Sequence, residues 1–317
     1  MSSWVIRIVG ILMMLTALAL SFSRAPDRPV ESLVARWAPA PSDFIEVKGQ
    51  LVHLRDEGPR GDPTPIVLLH GTSASLHTWE GWAHTLKAQR RVISLDLPGF
   101  GLTGPFAGRY TPDDYRGDTY ARFVIDLLDT LQLPRVVLGG NSLGGEIAWR
   151  VATLAPARVD RLILVDASGT DFTPESVPLG FVLARLPVLR WISEYVLPRE
   201  LVAQGVANVY GDPSRISTAL VDRYFELALR DGNRRALGLR LQQLEHGQDM
   251  SRLASIRQPT LILWGQRDRL IPPANAQVFE RQIAGSQRVV LDALGHVPQE
   301  EDAARSLEPV KAFIGWK

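Results

Sequence analysis

Apolar and polar positions change their period along the chain. Phe44 to Gly58 (FIEVKGQLVHLRDEG) alternates around Lys48-Gly49, which predicts two half-buried strands joined by a turn. Beyond it come short continuous apolar runs: Ile66–Leu69, Val92–Leu95, Val136–Leu138, Leu162–Val165, Leu261–Leu263 and Val289–Leu291. Each is rich in Val, Ile and Leu, as strands buried on both faces are. Amphipathic stretches lie between them, so the pattern predicts helices, right-handed crossovers and a parallel sheet. The spacing breaks once. Between Val165 and Leu261 stand helical patterns such as ALVDRYFELALRDG and RRALGLRLQQLEHG. This predicts an inserted helical unit over 171–250 that divides one α/β core into 44–170 and 251–317.

The first 43 residues follow neither period. Ile8 to Leu20 carries no charge, with Arg7 before it and Arg24 after it. Residues 1–23 are therefore expected to form a membrane anchor or a cleaved signal segment, since a span needs about 20 apolar residues and a signal only about 7–15. A single N-terminal helix in the membrane, with the bulk of the chain outside the cytoplasm, is the expected arrangement. Prolines at 26, 29, 39 and 41 mark 24–43 as a linker or extended arm.

Composition narrows the function classes. The chain has 317 residues, 45% of them hydrophobic and 22% charged, enough apolar surface for a packed interior. Basic residues number 35 and acidic ones 34, a net charge of +1 that lacks the basic excess of a nucleic-acid binder. Without cysteine, disulfides, thiol nucleophiles and Cys-based zinc sites are excluded. The six histidines have no metal-binding spacing, so no metal site is expected.

The strongest local signal is Gly140-Asn141-Ser142-Leu143-Gly144, a G-x-S-x-G between an apolar run and a helical pattern. A strand–turn–helix is the setting in which this motif presents a nucleophilic serine. Serine needs a base, and the base needs an orienting acid. His296 is the one histidine beyond Asp268, and each follows a predicted strand, on the edge where open α/β sheets hold their sites. The order is Ser142, Asp268, His296. Backbone N–H groups of Leu143 and of Thr72, with Ser73 in reserve, are the expected oxyanion donors. His70 is expected to tie down that loop. Gly99 to Gly104 matches G-x-G-x-x-G, but Pro105 and a loop-like stretch follow where a helix should open, so it is not read as a phosphate site.

The pieces LLHGTSAS, DLPGFGLTG, GNSLGG, LILWGQRD and LGHVPQEE, in that order, resemble the α/β-hydrolase family over about residues 44–317. The resemblance implies a mostly parallel eight-stranded sheet flanked by helices, with a helical lid inserted after the sixth strand. It also implies a Ser–Asp–His triad on Ser142, Asp268 and His296 that needs no cofactor, with Asp166 as the rival acid, since some relatives supply the acid after the preceding strand. Relatives with an aspartate nucleophile, the epoxide hydrolases and haloalkane dehalogenases, are disfavoured by Ser142. The expected activity is hydrolysis of a carboxylic ester through an acyl-enzyme, on a small-molecule, ester-like substrate. Alternatives are a C–C bond hydrolase of ring-cleavage products, which an inward arginine would support, and a cofactor-free haloperoxidase or perhydrolase. A non-catalytic binding scaffold is a further alternative. The apolar stretch Leu179 to Pro198 predicts lid packing, an apolar substrate tunnel or a lipid-like substrate.

Overall fold

The alternating stretch folds as a hairpin. Strand β1 (Ser42–Val47) pairs antiparallel with β2 (Gln50–Glu57), Phe44 opposite His53. The computed structural model describes residues 4, 5, 7–11, 13, 14, 23–111, 113–186, 194–244 and 247–316. The continuous apolar runs become β3 (Ile66–Leu69), β4 (Val92–Leu95), β5 (Val136–Asn141), β6 (Val159–Val165), β7 (Thr260–Gly265) and β8 (Gln287–Leu291). They form one eight-stranded sheet in the order β1-β2-β4-β3-β5-β6-β7-β8. From β4 to β8 every pairing is parallel, whereas β2 runs against both neighbours.

The helices in chain order are α1 (Glu31–Trp37), α2 (Glu80–Leu86), α3 (Gly117–Thr130), α4 (Leu143–Leu154), α5 (Leu179–Ala184) and α6 (Arg199–Val209). They continue with α7 (Thr218–Ala228), α8 (Asn233–Gln242), α9 (Ala274–Gln282), α10 (Pro298–Glu301) and α11 (Ala303–Ile314). Successive strand residues face opposite sides of the sheet, so each buried strand feeds two cores. Val67 and Leu69 of β3 and Leu162 and Leu164 of β6 pack with α3, α4 and α9. Ile66 and Leu68, with Ile163 and Val165, pack on the other face with α2 and α11. This double burial is why the runs are apolar without alternation.

Helices α5 to α8 lie between β6 and β7 in the chain, and this inserted segment is called the cap below. The proline-rich stretch before β1 is not a free tether. It carries α1 and crosses the cap through hydrogen bonds Leu197 N to Ser23 O (3.1 Å), Ala25 N to Tyr195 O (2.8 Å), Arg28 N to Leu229 O (2.6 Å) and Asp231 N to Arg28 O (2.9 Å). Asp27 accepts from Gly232 N and pairs with the buried Arg234. Leu33 is buried against Leu102 of the core and Leu227 of the cap.

The expected membrane-spanning anchor at the N-terminus, and with it the signal-anchor reading, requires correction. Among the described residues no helix is long and apolar enough to cross a membrane. A 30 Å hydrocarbon layer demands about 20 continuous apolar helical residues, and no described helix supplies them. Residues 1–3, 6, 12 and 15–22 lie outside the described residues.

The arm gives a direct stability test. Asp27→Ala leaves the Arg234 guanidinium buried without its carboxylate, and an uncompensated buried polar group costs about 1–3 kcal/mol. The expected result is a lower urea midpoint at unchanged slope. An unchanged midpoint would show that the arm does not brace the cap.

Candidate active site

Parallel strands end on a common edge, and here the chain leaves that edge under strain. Six described residues other than glycine have positive φ, and four of them follow the carboxyl ends of sheet strands: Ser73 (62°), Ser142 (54°), Asp166 (44°) and Ala293 (64°). Such conformations cost about 1–3 kcal/mol each and persist only where the surroundings enforce them.

Ser142 joins β5 to α4, and its backbone is held from three sides. Its N–H donates to Val165 O (3.0 Å), and its carbonyl accepts from Glu146 N (3.0 Å) and Ser168 N (3.1 Å). The turn closes tightly against β3. A Cβ on Gly144 would stand 2.0 Å from the Leu69 carbonyl oxygen, so glycine alone fits there. A Cβ on Gly71 would stand 3.1 Å from Ser142 Cβ, which puts the loop after β3 directly beside the serine. His70 braces that loop from beneath. Its Nδ1–H donates to Gly71 O (2.7 Å) and its Nε2 accepts from Leu97 N (2.9 Å). Burial holds its basicity down, which suits a ring nitrogen that accepts. Thr72 and Leu143 donate none of the backbone hydrogen bonds that tie these turns together. Leu143 also opens a helix, where partial positive charge gathers.

Asp268 and His296 meet. The Nδ1–H of His296 donates to Asp268 Oδ2 at 2.7 Å, both side chains being buried. The other carboxylate oxygen accepts from Leu270 N (2.8 Å) and Ile271 N (2.9 Å), which fixes the Asp268 rotamer. With Nδ1 engaged, Nε2 is the ring nitrogen left for chemistry. The close approach of the two loops requires Gly265, where a Cβ would sit 1.9 Å from Gly295 O.

Three supports were not anticipated from the sequence. Asn141, the variable position of the G-x-S-x-G motif, donates from Nδ2 to His296 O (2.9 Å) and Val165 O (3.2 Å). It ties the histidine backbone to the residue preceding Ser142. Glu301 accepts from Gly295 N (2.7 Å), Gly211 N (3.0 Å) and Asp212 N (2.8 Å), joining the histidine loop to the cap. His296 N itself donates to Val209 O at the end of α6 (2.8 Å).

Asp166 is fully buried. Its Oδ1 accepts from Gly265 N (2.9 Å). Burial, and then the neighbouring Asp268 charge, push its ionisation well above the usual carboxylate range. Donor atoms of Asp166, Asp268 and His296 lie within 4.8 Å of one another, a spacing that a cation would accept. Two of the three are already spent on the Asp268–His296 hydrogen bond, which suits proton handling rather than ligation. The Gly99–Gly104 segment wraps Asp96, whose Oδ2 accepts from Leu102 N (2.7 Å), and is a structural turn.

Residues 64–303 match a family profile described as alpha/beta hydrolase fold. The chain belongs to that family. It is similar to the dihydrolipoyllysine-residue acetyltransferase component of the acetoin cleaving system of Pseudomonas putida, at 30% identity over 292 residues, 87% of this chain and 70% of that protein. It is also similar to a 2-hydroxy-6-oxo-2,4-heptadienoate hydrolase of Pseudomonas putida, at 29% identity over 266 residues, 80% of this chain and 90% of the hydrolase. The structure of a thermophilic esterase from Thermogutta terrifontis shares the fold, with a TM-score of 0.70 at 23% identity over 86% of this chain and 98% of that one.

Asn141→Asp tests the tether between serine strand and histidine loop. The isosteric carboxylate would face two carbonyl oxygens instead of donating to them, at a cost of about 1–3 kcal/mol or more. A urea midpoint equal to that of the parent protein would show that the tether carries no stability.

Proposed function

We propose that this alpha/beta hydrolase is a serine hydrolase that cleaves carboxylic esters through an acyl-enzyme. The observation that carries the reading is the 2.7 Å hydrogen bond between His296 Nδ1 and Asp268 Oδ2, on the sheet edge where Ser142 is held at a strained turn. Asp268 fixes the imidazole tautomer and stabilises its cation. His296 Nε2 takes the Ser142 proton as Oγ attacks the ester carbonyl. The N–H groups of Thr72 and Leu143 face the oxyanion. His296 then gives its proton to the departing alcohol. Water, activated by the same nitrogen, attacks the acyl carbon and releases the acid and the serine. No step calls on a cofactor.

The relatives include the 2-hydroxy-6-oxo-2,4-heptadienoate hydrolase as well, whose substrate by name is an anionic dienoate. The four described buried arginines each face a carboxylate: Arg55 with Glu80, Arg150 and Arg240 with Glu146, and Arg234 with Asp27. Desolvated guanidinium groups already neutralised in this way are poor partners for a second anion. The segment between β6 and β7 also exposes the large apolar side chains of Val177, Leu179, Val182, Leu186 and Tyr195, and residues 187–193 of its apolar stretch lie outside the described residues.

A fluorophosphonate probe is expected to label the wild-type protein covalently, and Ser142→Ala to abolish labelling. Asp268→Asn is expected to slow ester turnover by ~10³-fold or more. Across p-nitrophenyl esters, kcat/KM is expected to rise with acyl chain length and to exceed that for a ring-cleavage dienoate. Preference for the dienoate would replace the ester reading with C–C hydrolysis, and an unlabelled wild-type serine would refute both.

A further inference from the structure

We propose that Asp166 is a positioning residue: kept protonated, it donates a hydrogen bond from its carboxyl to Asp268, and so orients that carboxylate and tempers its hold on the His296 imidazolium. The inference rests on the serine-hydrolase reading above, since it concerns the acid of that triad.

The argument begins with the backbone. Asp166 sits at φ +44°, which a β-carbon makes unfavourable, at the end of β6 and beside the elbow. Strain of this kind aims a side chain where relaxed backbone would not. The carboxyl it delivers is fully buried, with Oδ1 accepting from Gly265 N. Its Oδ2 is buried and, as an acceptor, has no hydrogen-bond partner among the described groups. An ionised carboxylate would leave that oxygen unsatisfied in a desolvated place, whereas a protonated one becomes a donor.

The acceptor is at hand. The titratable groups facing Asp166 are Asp268 from the turn after β7, His296 from the loop after β8, and Glu301 from α10. His296 Nδ1 is committed to Asp268. Two buried carboxyls in contact do not both ionise, and the proton goes to the one with fewer donors around it. Asp268 receives three bonds, from Leu270 N, Ile271 N and His296, whereas Asp166 receives one. The proton therefore stays on Asp166, and burial followed by the Asp268 charge works in the same direction.

The test compares pH profiles of ester kcat/KM and of fluorophosphonate labelling. Asp166→Ala removes the donor. Asp268 then holds the imidazolium more tightly, and the acid limb moves about one pH unit upward, so that labelling near pH 6 falls about tenfold and recovers in alkali. Asp166→Asn supplies an amide N–H in the same place and restores the parental limb. Infrared difference spectra of wild type minus Asp166→Asn at neutral pH show a protonated-carboxyl stretch. If the Ala variant does not fold, the Asn profile and the infrared band still decide. The proposal is overturned if Asp166→Asn moves the acid limb downward, as loss of a negative charge would, and the band is missing. It is equally overturned if Asp268→Asn keeps a tenth or more of the parental rate, because Asp166 would then be an ionised stand-in for the acid. An unlabelled wild-type protein would strike the triad reading itself, while the infrared band reports on Asp166 regardless.

Discussion

Ser142 occupies a backbone conformation that a residue with a β-carbon adopts only when neighbours compel it. The compulsion comes from parallel strands packed edge to edge. Val165 O holds the Ser142 N–H, Ser168 N and Glu146 N hold its carbonyl, and Gly144 lets the turn press against Leu69 O. The rest of the site is arranged around this point. The loop after β3 abuts the serine because Gly71 has no side chain, and the loops after β7 and β8 meet because Gly265 has none. Strain at Ser73, Asp166 and Ala293 is the same requirement felt at the neighbouring strand ends.

The cap is built into this machinery rather than laid over it. Val209 O accepts from His296 N, and the Glu301 carboxylate gathers N–H groups from Gly295 on the core side and from Gly211 and Asp212 on the cap side. A displaced α6–α7 segment would therefore release the histidine loop. On the far side, Arg240 of α8 reaches Glu146 of α4, four residues past the serine, at 2.7 Å. Burial opposes the Glu146 charge, yet Arg240 and Arg150 hold its ionisation below the usual range. The arm before β1 then braces the cap from outside. The segment between β6 and β7 and the His296 loop are thus coupled through hydrogen bonds, with charge pairs buried where one partner cannot leave without a large penalty.

Much of the fold was legible because burial imposes a period. The hairpin alternates since one face is half exposed, and β3 to β8 read as solid apolar runs since both faces are covered. The elbow was legible because a sharp turn needs small residues at set offsets from the serine. The apolar N-terminal run was misread as a span because hydropathy counts residues, whereas a membrane demands one helix of sufficient continuous length, which the described residues do not contain.

The order of strands and helices, the elbow at Gly140 to Gly144 and the presence of an aspartate and a histidine after the last two strands follow from the sequence, since each depends on residues close together in the chain. Which of two aspartates faces His296, how Asn141 and Glu301 hold its loop, and how the arm grips the cap were decided by the tertiary structure. Those contacts join residues up to 207 positions apart, and their distances depend on the packing of the whole sheet, about which no local pattern carries information.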